Sequence, residues 1–408
     1  MSKTAYVLDI GTTKTTFLAA TMEGVDLRVL SAGAVATRGV KKGRFVDPAQ
    51  VGECVKAAVA RVRDETGTVS DQIVVAVPGP AVRSEHSRGV RPMYPPGKAV
   101  HQEDLLQVNE HSRQLRLPEG HEVLQALPCE YRIDGKTVVG EPLGQPATRL
   151  EVVTHVMTAL KQDLDRLRGI AKSSGANVDE FVPVALASGL GTLRPSEAIS
   201  GCLVVDLGGG TTTAAVFERG SCSALASIDA NGSHITGDIA ALIKVSLEDA
   251  EALKVAHGHA DPTQIGDDEV VHVKQVGNDQ PRQFPRKVLS EIIESRVREI
   301  ATLLREELLK ADEQRRLPET LLLTGGGSHL PGADAVFNKV FGTATVKQGT
   351  PRLVGPNSRR VALPEMSAAV GLALFALEAD VEDLAPVSGV VDWKDKIRSL
   401  KSIFGARA

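Results

Sequence analysis

The pattern of apolar and polar positions is clearest in the last seventeen residues of the chain. Trp393, Ile397, Leu400 and Phe404 are spaced by four, three and four residues, so on a helix they form one apolar stripe with Ile403 beside it. The positive side chains of this stretch outnumber its two aspartates and come from Lys394, Lys396, Arg398, Lys401 and Arg407. The pattern predicts a short basic amphipathic helix that lies in an anionic membrane surface.

The segment before this helix, residues 379–391, differs from it in pattern. It is acidic and contains Pro386 and Gly389, which is typical of a tether between a folded domain and a terminal element. A helix of this kind has a second possible use, which is to dock on its own domain or on another chain. The tether favours the membrane interpretation, because a docked helix has no need of a long connection.

Farther upstream, one strand-and-turn pattern occurs twice. The apolar run 6–10 contains Asp9 next to its end and leads into Gly11 and hydroxyl residues, and the run 203–207 with Asp206 leads into Gly208 in the same way. Strand-like runs 15–20 and 213–218 follow, so each unit is predicted to be a β-hairpin with a Gly/Thr turn. A third glycine-rich turn follows the apolar run 321–323. The repeat predicts a duplicated α/β domain with a cleft between its halves.

The two hairpin turns have residue types that suit a phosphate ligand. Glycine lets the backbone approach a ligand closely, and successive N–H groups in such turns form anion-binding nests. Asp9 and Asp206 are placed to hold a hydrated Mg²⁺, and hydroxyl donors come from Thr12, Thr13, Thr211 and Thr212. The alternative is two ordinary hairpins, which the third glycine turn makes less attractive. The sequence contains no P-loop, no dinucleotide-binding fingerprint and no kinase signature.

Composition narrows the class of protein. A chain of 408 residues predicts at least two domains, and a net charge of -4 argues against nucleic acid as a partner. Aromatic residues make up 3% while there are 38 glycines, which favours α/β structure. The four cysteines lack metal-ligand spacing and fit a reducing cytosol. Without a signal peptide or an apolar run of about 18 residues, we expect membrane contact only from the cytosolic side.

With these motifs the chain resembles the actin/Hsp70/hexokinase ATPase superfamily and, within it, the FtsA family of bacterial cell-division proteins. The resemblance extends over nearly the whole length. Besides the three turns and the amphipathic C-terminus, it is carried by residues 40–47 (VKKGRFVD), 130–135 (EYRIDG), 142–144 (PLG) and 249–258 (DAEALKVAHG). Because these segments agree in order, the resemblance implies a duplicated actin-like (ribonuclease H-like) fold with an inserted FtsA-type subdomain.

The resemblance also implies a division of the chain. The first actin-like core would comprise residues 1–82 and 154–198, interrupted by the inserted subdomain at 83–153. The second core would comprise 199–229 and 316–378, interrupted by a helical lid at 230–315. The linker 379–391 and the membrane-targeting helix 392–408 would follow.

By resemblance, the protein binds ATP with Mg²⁺ between the two cores. Asp9 and Asp206 would hold the metal through water. The first phosphate loop would be Gly11, Thr12, Thr13 and Lys14, and the second Gly208, Gly209, Gly210, Thr211 and Thr212. Gly325, Gly326, Gly327 and Ser328 would pass over the adenosine, and Gly232, Glu251 and Lys254 would reach the nucleoside. Two alternatives stay open: a solvent-facing Lys14, and a solvated ion pair between Glu251 and Lys254.

Hydrolysis is where the chain departs from its relatives. Actin-like ATPases orient the attacking water with a Gln or Glu before the second phosphate loop, and residues 183–188 (PVALAS) contain neither. Thr213 stands where many relatives carry Asp. Both departures imply weak or absent turnover, so no catalytic residue is assigned.

The function implied is a cell-division protein that polymerises into filaments and anchors the FtsZ ring to the cytoplasmic face of the membrane at the septum. Its partners would be the C-terminal peptide of FtsZ, further copies of itself, the anionic membrane, and later division proteins that bind the inserted subdomain. Two alternatives remain. One is the pilus-assembly relative, against which the amphipathic C-terminus argues, and the other is a small-molecule kinase or hydrolase of the same fold.

Overall fold

Two five-stranded sheets of the same topology form the framework of the protein. The computed structural model describes residues 3–378 except 25, 277–279, 314, 344, 352 and 356. The predicted linker 379–391 and terminal helix 392–408 lie outside the described residues. In the described part, no helix combines the length and apolar character needed to cross a membrane.

The first half begins with a strand meander and a capped helix. Its elements are β1 (Thr4–Ile10), β2 (Lys14–Glu23), β3 (Asp26–Ala36), β4 (Val40–Lys41), β5 (Arg44–Phe45), α1 (Pro48–Thr66) and β6 (Gln72–Val77). Asp47 caps α1 by accepting from the backbone N–H groups of Ala49 and Gln50, and Gly67 ends the helix in the left-handed region at φ 76°.

The inserted subdomain follows directly and has a sheet of its own. It consists of β7 (Val82–Pro92), β8 (Lys98–Ala99), α2 (Gln102–Arg113), β9 (His121–Ile133), β10 (Lys136–Val138), β11 (Pro146–Ala147) and β12 (Arg149–Leu160). The strand order is β10-β9-β12-β7. Helix α2 packs on this sheet around a separate small core that includes Leu105, Val108, Tyr131 and Leu150. The chain then returns to the first half through α3 (Lys161–Ser173), β13 (Asn177–Pro183), α4 (Val184–Thr192) and α5 (Pro195–Ser200).

The second half repeats the meander and adds a helical region. It contains β14 (Cys202–Leu207), β15 (Thr212–Glu218), β16 (Ser221–Ile228), α6 (Gly232–Ile243), α7 (Leu247–His257), β17 (Val270–Val273), β18 (Arg282–Pro285), α8 (Arg286–Leu309), β19 (Thr320–Thr324), α9 (Ala333–Phe341), β20 (Thr345–Gln348), α10 (Ser358–Val361) and α11 (Ser367–Glu378). Residues 230–309 therefore form the helices expected of a lid, with β17 and β18 as a small hairpin.

The sheets confirm the internal repeat. The first has the order β3-β2-β1-β6-β13 and the second β16-β15-β14-β19-β20, so in both an antiparallel meander is extended by two parallel strands. Asp9 is paired with Thr16, and Asp206 is paired with Thr213 at the equivalent register. The inserted subdomain lies between the fourth and fifth strands of the first sheet, whereas the lid lies between the third and fourth strands of the second.

Helices α4 and α11 join the two halves. Helix α4 follows the first sheet but contacts β14 and β15 of the second, while α11 ends the second half but packs on β1 and β2 of the first. The two helices cross closely because Gly191 and Gly371 have no side chains; a Cβ on Gly371 would lie 1.8 Å from the carbonyl oxygen of Ala187. This crossing sets the cleft between the sheets.

Candidate functional site

A cavity of about 550 Å³ opens between the halves, where both hairpin turns end. Sixteen of the eighteen predicted ligand-binding residues in the described part line it. They are Asp9, Gly11, Thr12, Thr13, Lys14, Asp206, Gly208, Gly209, Gly210, Thr211, Gly232, Glu251, Lys254, Gly325, Gly326 and Gly327. Residues from five separate segments of the sequence therefore come together in one place.

Thr212 and Ser328 are the two predicted residues outside the lining. The Thr212 hydroxyl donates to the carbonyl oxygen of Ala230 at 2.7 Å, and the Ser328 hydroxyl donates to the carbonyl oxygen of Gly325 at 2.7 Å. Both side chains bond to the protein backbone, because Thr212 begins strand β15 and Ser328 closes a turn of 3-10 helix. Their hydroxyls stabilise the loops through these bonds to the backbone.

The two hairpin turns touch each other across the cavity. Each is closed by a backbone bond, from Gly11 N–H to the Lys14 carbonyl at 2.9 Å and from Gly208 N–H to the Thr211 carbonyl at 3.1 Å. A Cβ on Gly210 would lie 1.9 Å from the Thr12 hydroxyl oxygen. Glycine is therefore required at this position by the opposite turn, in addition to any ligand.

The aspartates that end β1 and β14 lie deep in the cavity. Burial, followed by the negative charge of Asp206, raises the pKa of Asp9 to about 7, and Lys14 acts in the opposite direction. Burial also raises the pKa of Asp206, against a hydrogen bond of 2.6 Å from the Ser188 hydroxyl. Two buried carboxylates with raised pKa values are a candidate cation site, because a bound cation would favour their ionised forms.

Lys14 faces the cavity, which decides between the two alternatives for this residue. Its Nζ lies 3.2 Å from the Met366 sulfur, and burial lowers its pKa while the charges of Glu365, Asp9 and Asp206 raise it. A lysine inside a cleft beside three carboxylates is placed to bind an anion together with a metal ion.

The lid contributes Glu251 and Lys254 from one face of α7. Their ion pair measures 2.7 Å, and the Lys254 Nζ also donates to the Thr236 hydroxyl at 2.8 Å and to the Gly232 carbonyl at 3.3 Å. Lys254 is mostly buried while Glu251 is about half exposed, so the pair is more than a solvated surface contact. The two residues connect α7 to the start of α6 at the cavity wall.

Several residues of the site carry no motif and were missed from the sequence. Ser188 bonds Asp206, Glu365 accepts from His329 at 2.8 Å, and both Glu365 and His329 line the cavity. The apolar part of the cavity lining consists of Ile235, Val255, Leu330 and Pro331. Motifs of closely spaced residues in the sequence could not reveal these residues, because only the fold brings α4, α6 and the turn before α11 to the cavity.

The chemistry of the cavity fits a magnesium–nucleotide complex. Carboxylates, an ammonium group, hydroxyls and glycine-rich turns line the cavity together with apolar side chains, a combination that suits a phosphate chain and a nucleoside. In the part of the chain that the structure describes, no group of three or more His, Cys, Asp or Glu residues forms a metal site of its own. A magnesium ion here would thus share its ligands among Asp9, Asp206, water and phosphate oxygens.

Comparisons with known proteins agree with this architecture. The profile described as cell division protein FtsA matches residues 203–371, and the profile for the SHS2 domain inserted in FtsA matches residues 79–158. The chain is 30% identical over 385 residues to the cell division protein FtsA of Pseudomonas aeruginosa, covering 94% of this chain and 91% of that protein.

Solved structures with the same fold are more distant in sequence. The PilM–PilN type IV pilus biogenesis complex matches with a TM-score of 0.64 at 18% identity, over 91% of this chain and 98% of that chain. MreB5 of Spiroplasma citri bound to ADP matches with a TM-score of 0.54 at 15% identity, over 91% of this chain and 96% of that chain. These matches confirm the predicted actin-like fold, and the SHS2 profile confirms the inserted subdomain.

Proposed function

The chain belongs to the FtsA family of cell division proteins, and on this premise we propose that it is an ATP-binding, membrane-associated filament protein that anchors the FtsZ ring. The observation that carries the proposal is the convergence of both hairpin turns, Asp9, Asp206 and Lys14 on one cavity, in a chain that also has the FtsA-type insertion. Family membership is the basis for the proposed cell-division role, and the cavity is the basis for the proposed nucleotide ligand.

The nucleotide would be held by groups that are already in place. Backbone N–H groups of the two turns and the Lys14 ammonium would bind the phosphates. Asp9 and Asp206 would hold Mg²⁺, which would offset the negative charge of the phosphates. Gly325 to Gly327 and the residues of α7 would enclose the nucleoside. The relation to an ADP-bound MreB structure supports this assignment at the level of the fold.

Turnover is proposed to be slow. In an ATPase of this fold a carboxylate or amide must orient the attacking water. The segment before the second turn forms the start of α4, and its polar side chain Ser188 is bonded to Asp206. Thr213, at the register position of Thr16, is buried in the sheet and carries no charge. We therefore expect ATP to act as a ligand that favours assembly.

Assembly would determine membrane residence. A single short helix buries about five apolar side chains and binds a bilayer weakly and reversibly. Filament formation would bring many such helices to one surface, and the resulting avidity can exceed the affinity of one helix by about 10²- to 10⁴-fold. By resemblance to the family, we propose that the lid at 230–315 binds the FtsZ peptide and that the inserted subdomain at 83–153 binds later division proteins.

The membrane proposal is tested by flotation of the full chain with anionic liposomes, with and without Mg·ATP. We expect ATP-dependent flotation that is lost in the double variant Trp393→Glu/Phe404→Glu, because both charges fall on the apolar stripe. The matched control is Ser399→Glu/Ser402→Glu, which adds the same charge on the opposite side of the predicted helix. Flotation of Trp393→Glu/Phe404→Glu at the wild-type level would rule out the tail as a membrane anchor.

The polymer proposal is tested by electron microscopy of the protein on an anionic lipid monolayer. Filaments that require Mg·ATP would support nucleotide binding, assembly and membrane attachment together. Binding of an FtsZ C-terminal peptide, measured against a pilus-protein N-terminal peptide, separates the division role from that of the pilus-assembly relatives. Preference for the pilus peptide would overturn the proposed function.

A further inference from the structure

The inserted subdomain meets the second half of the molecule along β16, which is the edge strand of the second sheet. Carbonyl groups on an edge strand have no partner strand on their outer side. Two histidines of the inserted sheet supply donors to them: His155 Nδ1 lies 2.9 Å from the Cys222 carbonyl oxygen, and His86 Nε2 lies 2.8 Å from that of Ser223. The imidazole rings are stacked with their centroids 5.3 Å apart.

The hydrogen bonds define the protonation of both rings. A carbonyl oxygen can only accept, so His155 must donate from Nδ1 and His86 from Nε2. The Nε2 of His155 then accepts from the hydroxyl of Ser84. Burial and the neighbouring ring lower the pKa of His155 to about 3, and burial lowers that of His86, so both rings are neutral at pH 7. We refer to Ser84, His86, His155 and the carbonyls of Cys222 and Ser223 as the joint.

A second contact lies between the inserted sheet and the cavity. The turn that leads into β7 passes so close to β15 and β16 that a Cβ on Gly79 would lie 2.5 Å from Cγ2 of Thr213 and 2.3 Å from the Ser227 hydroxyl oxygen. Thr213 lines the candidate nucleotide cavity. The turn before β7 therefore touches the cavity wall, and seven residues farther along the chain β7 is bonded to β16 at His86.

The joint is one of several contacts that connect the two halves at this edge. Strands β7 and β12 are continuous with β6 and α3 of the first half, so whatever fixes the inserted sheet to β16 fixes the first half to the second. The Ser221 hydroxyl of β16 also donates to the Pro128 carbonyl oxygen of β9 at 2.7 Å, and the Cys129 thiol lies 3.4 Å from the Cys222 carbonyl oxygen. Arg219 and Glu130 form an ion pair of 2.8 Å at the same boundary. His86 differs from these contacts because it bonds β16 from β7, the strand whose preceding turn meets Thr213 at the cavity.

We propose that His86 and His155 are positioning residues for nucleotide binding. By bonding the inserted sheet to β16, they hold the Gly208–Thr211 turn of the second half against the Gly11–Lys14 turn of the first, which is the arrangement in which both turns face one ligand. The inference rests on the proposed nucleotide binding. Loosening the joint lowers the fraction of molecules with converged turns, and the apparent affinity falls by that fraction.

The test uses the full chain and Mg·ATP, with affinity measured by titration calorimetry. His86→Leu removes the donor to Ser223 from an exposed side chain and is expected to weaken binding by about fivefold or more, the lower end of typical coupling between sites. His86→Gln is the conservative variant: its side-chain amide N–H can donate to the same carbonyl, so affinity is expected to return to within about twofold of wild type.

Control and second variants separate positioning from folding. His111→Leu removes another exposed histidine of the same subdomain, one that bonds the Val90 carbonyl within it at 3.3 Å, and is expected to leave affinity unchanged. At the buried position, His155→Asn keeps an amide donor near Nδ1, whereas His155→Leu removes it. Hydrogen exchange gives an independent readout, because coupling is reciprocal: Mg·ATP should slow exchange in residues 221–223 of wild type and do so less in His86→Leu.

The outcomes are distinguishable. If His86→Leu is folded but only less heat-stable, with the affinity and exchange response of wild type, the joint has a structural role alone and the inference is overturned. If wild type itself does not bind Mg·ATP, the proposed function fails first, and the inference fails with it. Weakened binding in His86→Leu and His111→Leu alike would also overturn it, because the effect would not depend on the contact with β16.

Discussion

The two hairpin turns occupy equivalent positions in the two halves, yet they are built from different chemistry. The first carries the hydroxyls of Thr12 and Thr13 and the ammonium of Lys14, whereas the second presents three successive glycines, 208–210. The carboxylate behind the first turn, Asp9, has a pKa near 7, while the one behind the second, Asp206, accepts a hydrogen bond from Ser188.

The difference shows how a duplicated fold divides one task. Side chains of the first turn supply positive charge and hydroxyl donors, and the backbone of the second turn makes room for them by lacking side chains. The two aspartates also differ. Asp9 is the carboxylate that changes protonation near neutral pH, whereas Asp206 accepts a hydrogen bond from Ser188. Substitutions in either turn, or at either aspartate site, are therefore expected to have defined effects on Mg·ATP binding.

The largest effect is expected at the contact between the turns. Gly210→Ala would place a methyl group 1.9 Å from the Thr12 hydroxyl oxygen, so one turn must move. Overpacking of this kind costs about 1–3 kcal/mol, which at 1.4 kcal/mol per tenfold weakens Mg·ATP binding by up to about 100-fold. Titration calorimetry measures the affinity, and thermal unfolding measures the accompanying loss of stability.

The control for this variant lies outside the cavity, in helix α3. A Cβ on Gly169 meets no atom within 4 Å, so Gly169→Ala should bind Mg·ATP nearly as well as wild type. Adding Thr12→Ala to Gly210→Ala removes the hydroxyl oxygen and Cγ2 of Thr12, two of the three atoms in conflict, and should restore part of the stability. If the single variant Gly210→Ala binds normally, the turns do not need to be in contact, and their interlocking has no bearing on the ligand.

The next effect concerns the charge of the first turn. Lys14→Met keeps the length and the apolar contact with Met366 but removes the ammonium group beside the carboxylates. Hydrogen bonds to charged groups contribute about 1.5–3 kcal/mol, so the affinity for Mg·ATP should fall by roughly 10- to 100-fold. Lys42→Met, at an exposed ion pair with Asp229, is the matched control and should change the affinity little. Equal losses in both would show that general positive charge, not Lys14, attracts the nucleotide.

The raised pKa of Asp9 predicts how the affinity for Mg·ATP and the stability of the protein depend on pH. Because the pKa of Asp9 is about 7 and ionised Asp9 is needed for the metal, the affinity for Mg·ATP should fall by up to about tenfold per pH unit below pH 7. Without metal, the folded state holds a proton that the unfolded state loses above about pH 4. The protein alone should thus lose stability as the pH rises from about 4 to 7.

Asp9→Asn separates this titration from that of ATP. The variant cannot ionise at this position, so its weaker binding should vary with pH only as far as the phosphates of ATP do. Calorimetry at pH 6, 7 and 8 measures both proteins. Parallel curves for wild type and variant would show that Asp9 does not change protonation on binding, and would remove the contrast with Asp206.

The sequence predicts this comparison in outline but not in detail. The turns, the paired aspartates and the third glycine loop follow from short patterns, since each lies within one strand and the residues just after it. Ser188 and Glu365 could not be predicted, because Ser188 reaches Asp206 from α4 and Glu365 reaches the cavity from the turn before α11, and both positions depend on how those helices cross. The joint at His86 and His155 was missed for the same reason: its partners are backbone carbonyls, which leave no trace in side-chain spacing.

Thr212 and Ser328 show the opposite limit of prediction from sequence, because a motif predicts them at the site and the structure places their side chains outside it. Both are hydroxyl residues inside motifs typical of ligand loops, and both hydroxyls bond the backbone outside the cavity. Consecutive side chains of β15 point to opposite faces, so Thr213 lines the cavity while Thr212 does not, and Thr211 lines it from the turn before the strand. A motif identifies the loop, and the strand register decides which of its side chains face the ligand.

The smallest expected effect concerns the neighbour that holds Asp206. Ser188→Ala removes the hydrogen bond of 2.6 Å that opposes the effect of burial on the pKa of Asp206, so this pKa should rise further. One hydrogen bond contributes about 0.5–1.5 kcal/mol, which corresponds to roughly two- to tenfold weaker binding of Mg·ATP at pH 7. The loss should shrink as the pH is raised from 7 to 9, because a higher pH favours the ionised form of Asp206. Ser200→Ala, in the exposed helix α5, is the control. A loss that is the same at pH 7 and pH 9 would mean that Ser188 acts by packing alone, and then the second aspartate would be no more strongly held in its ionised form than the first.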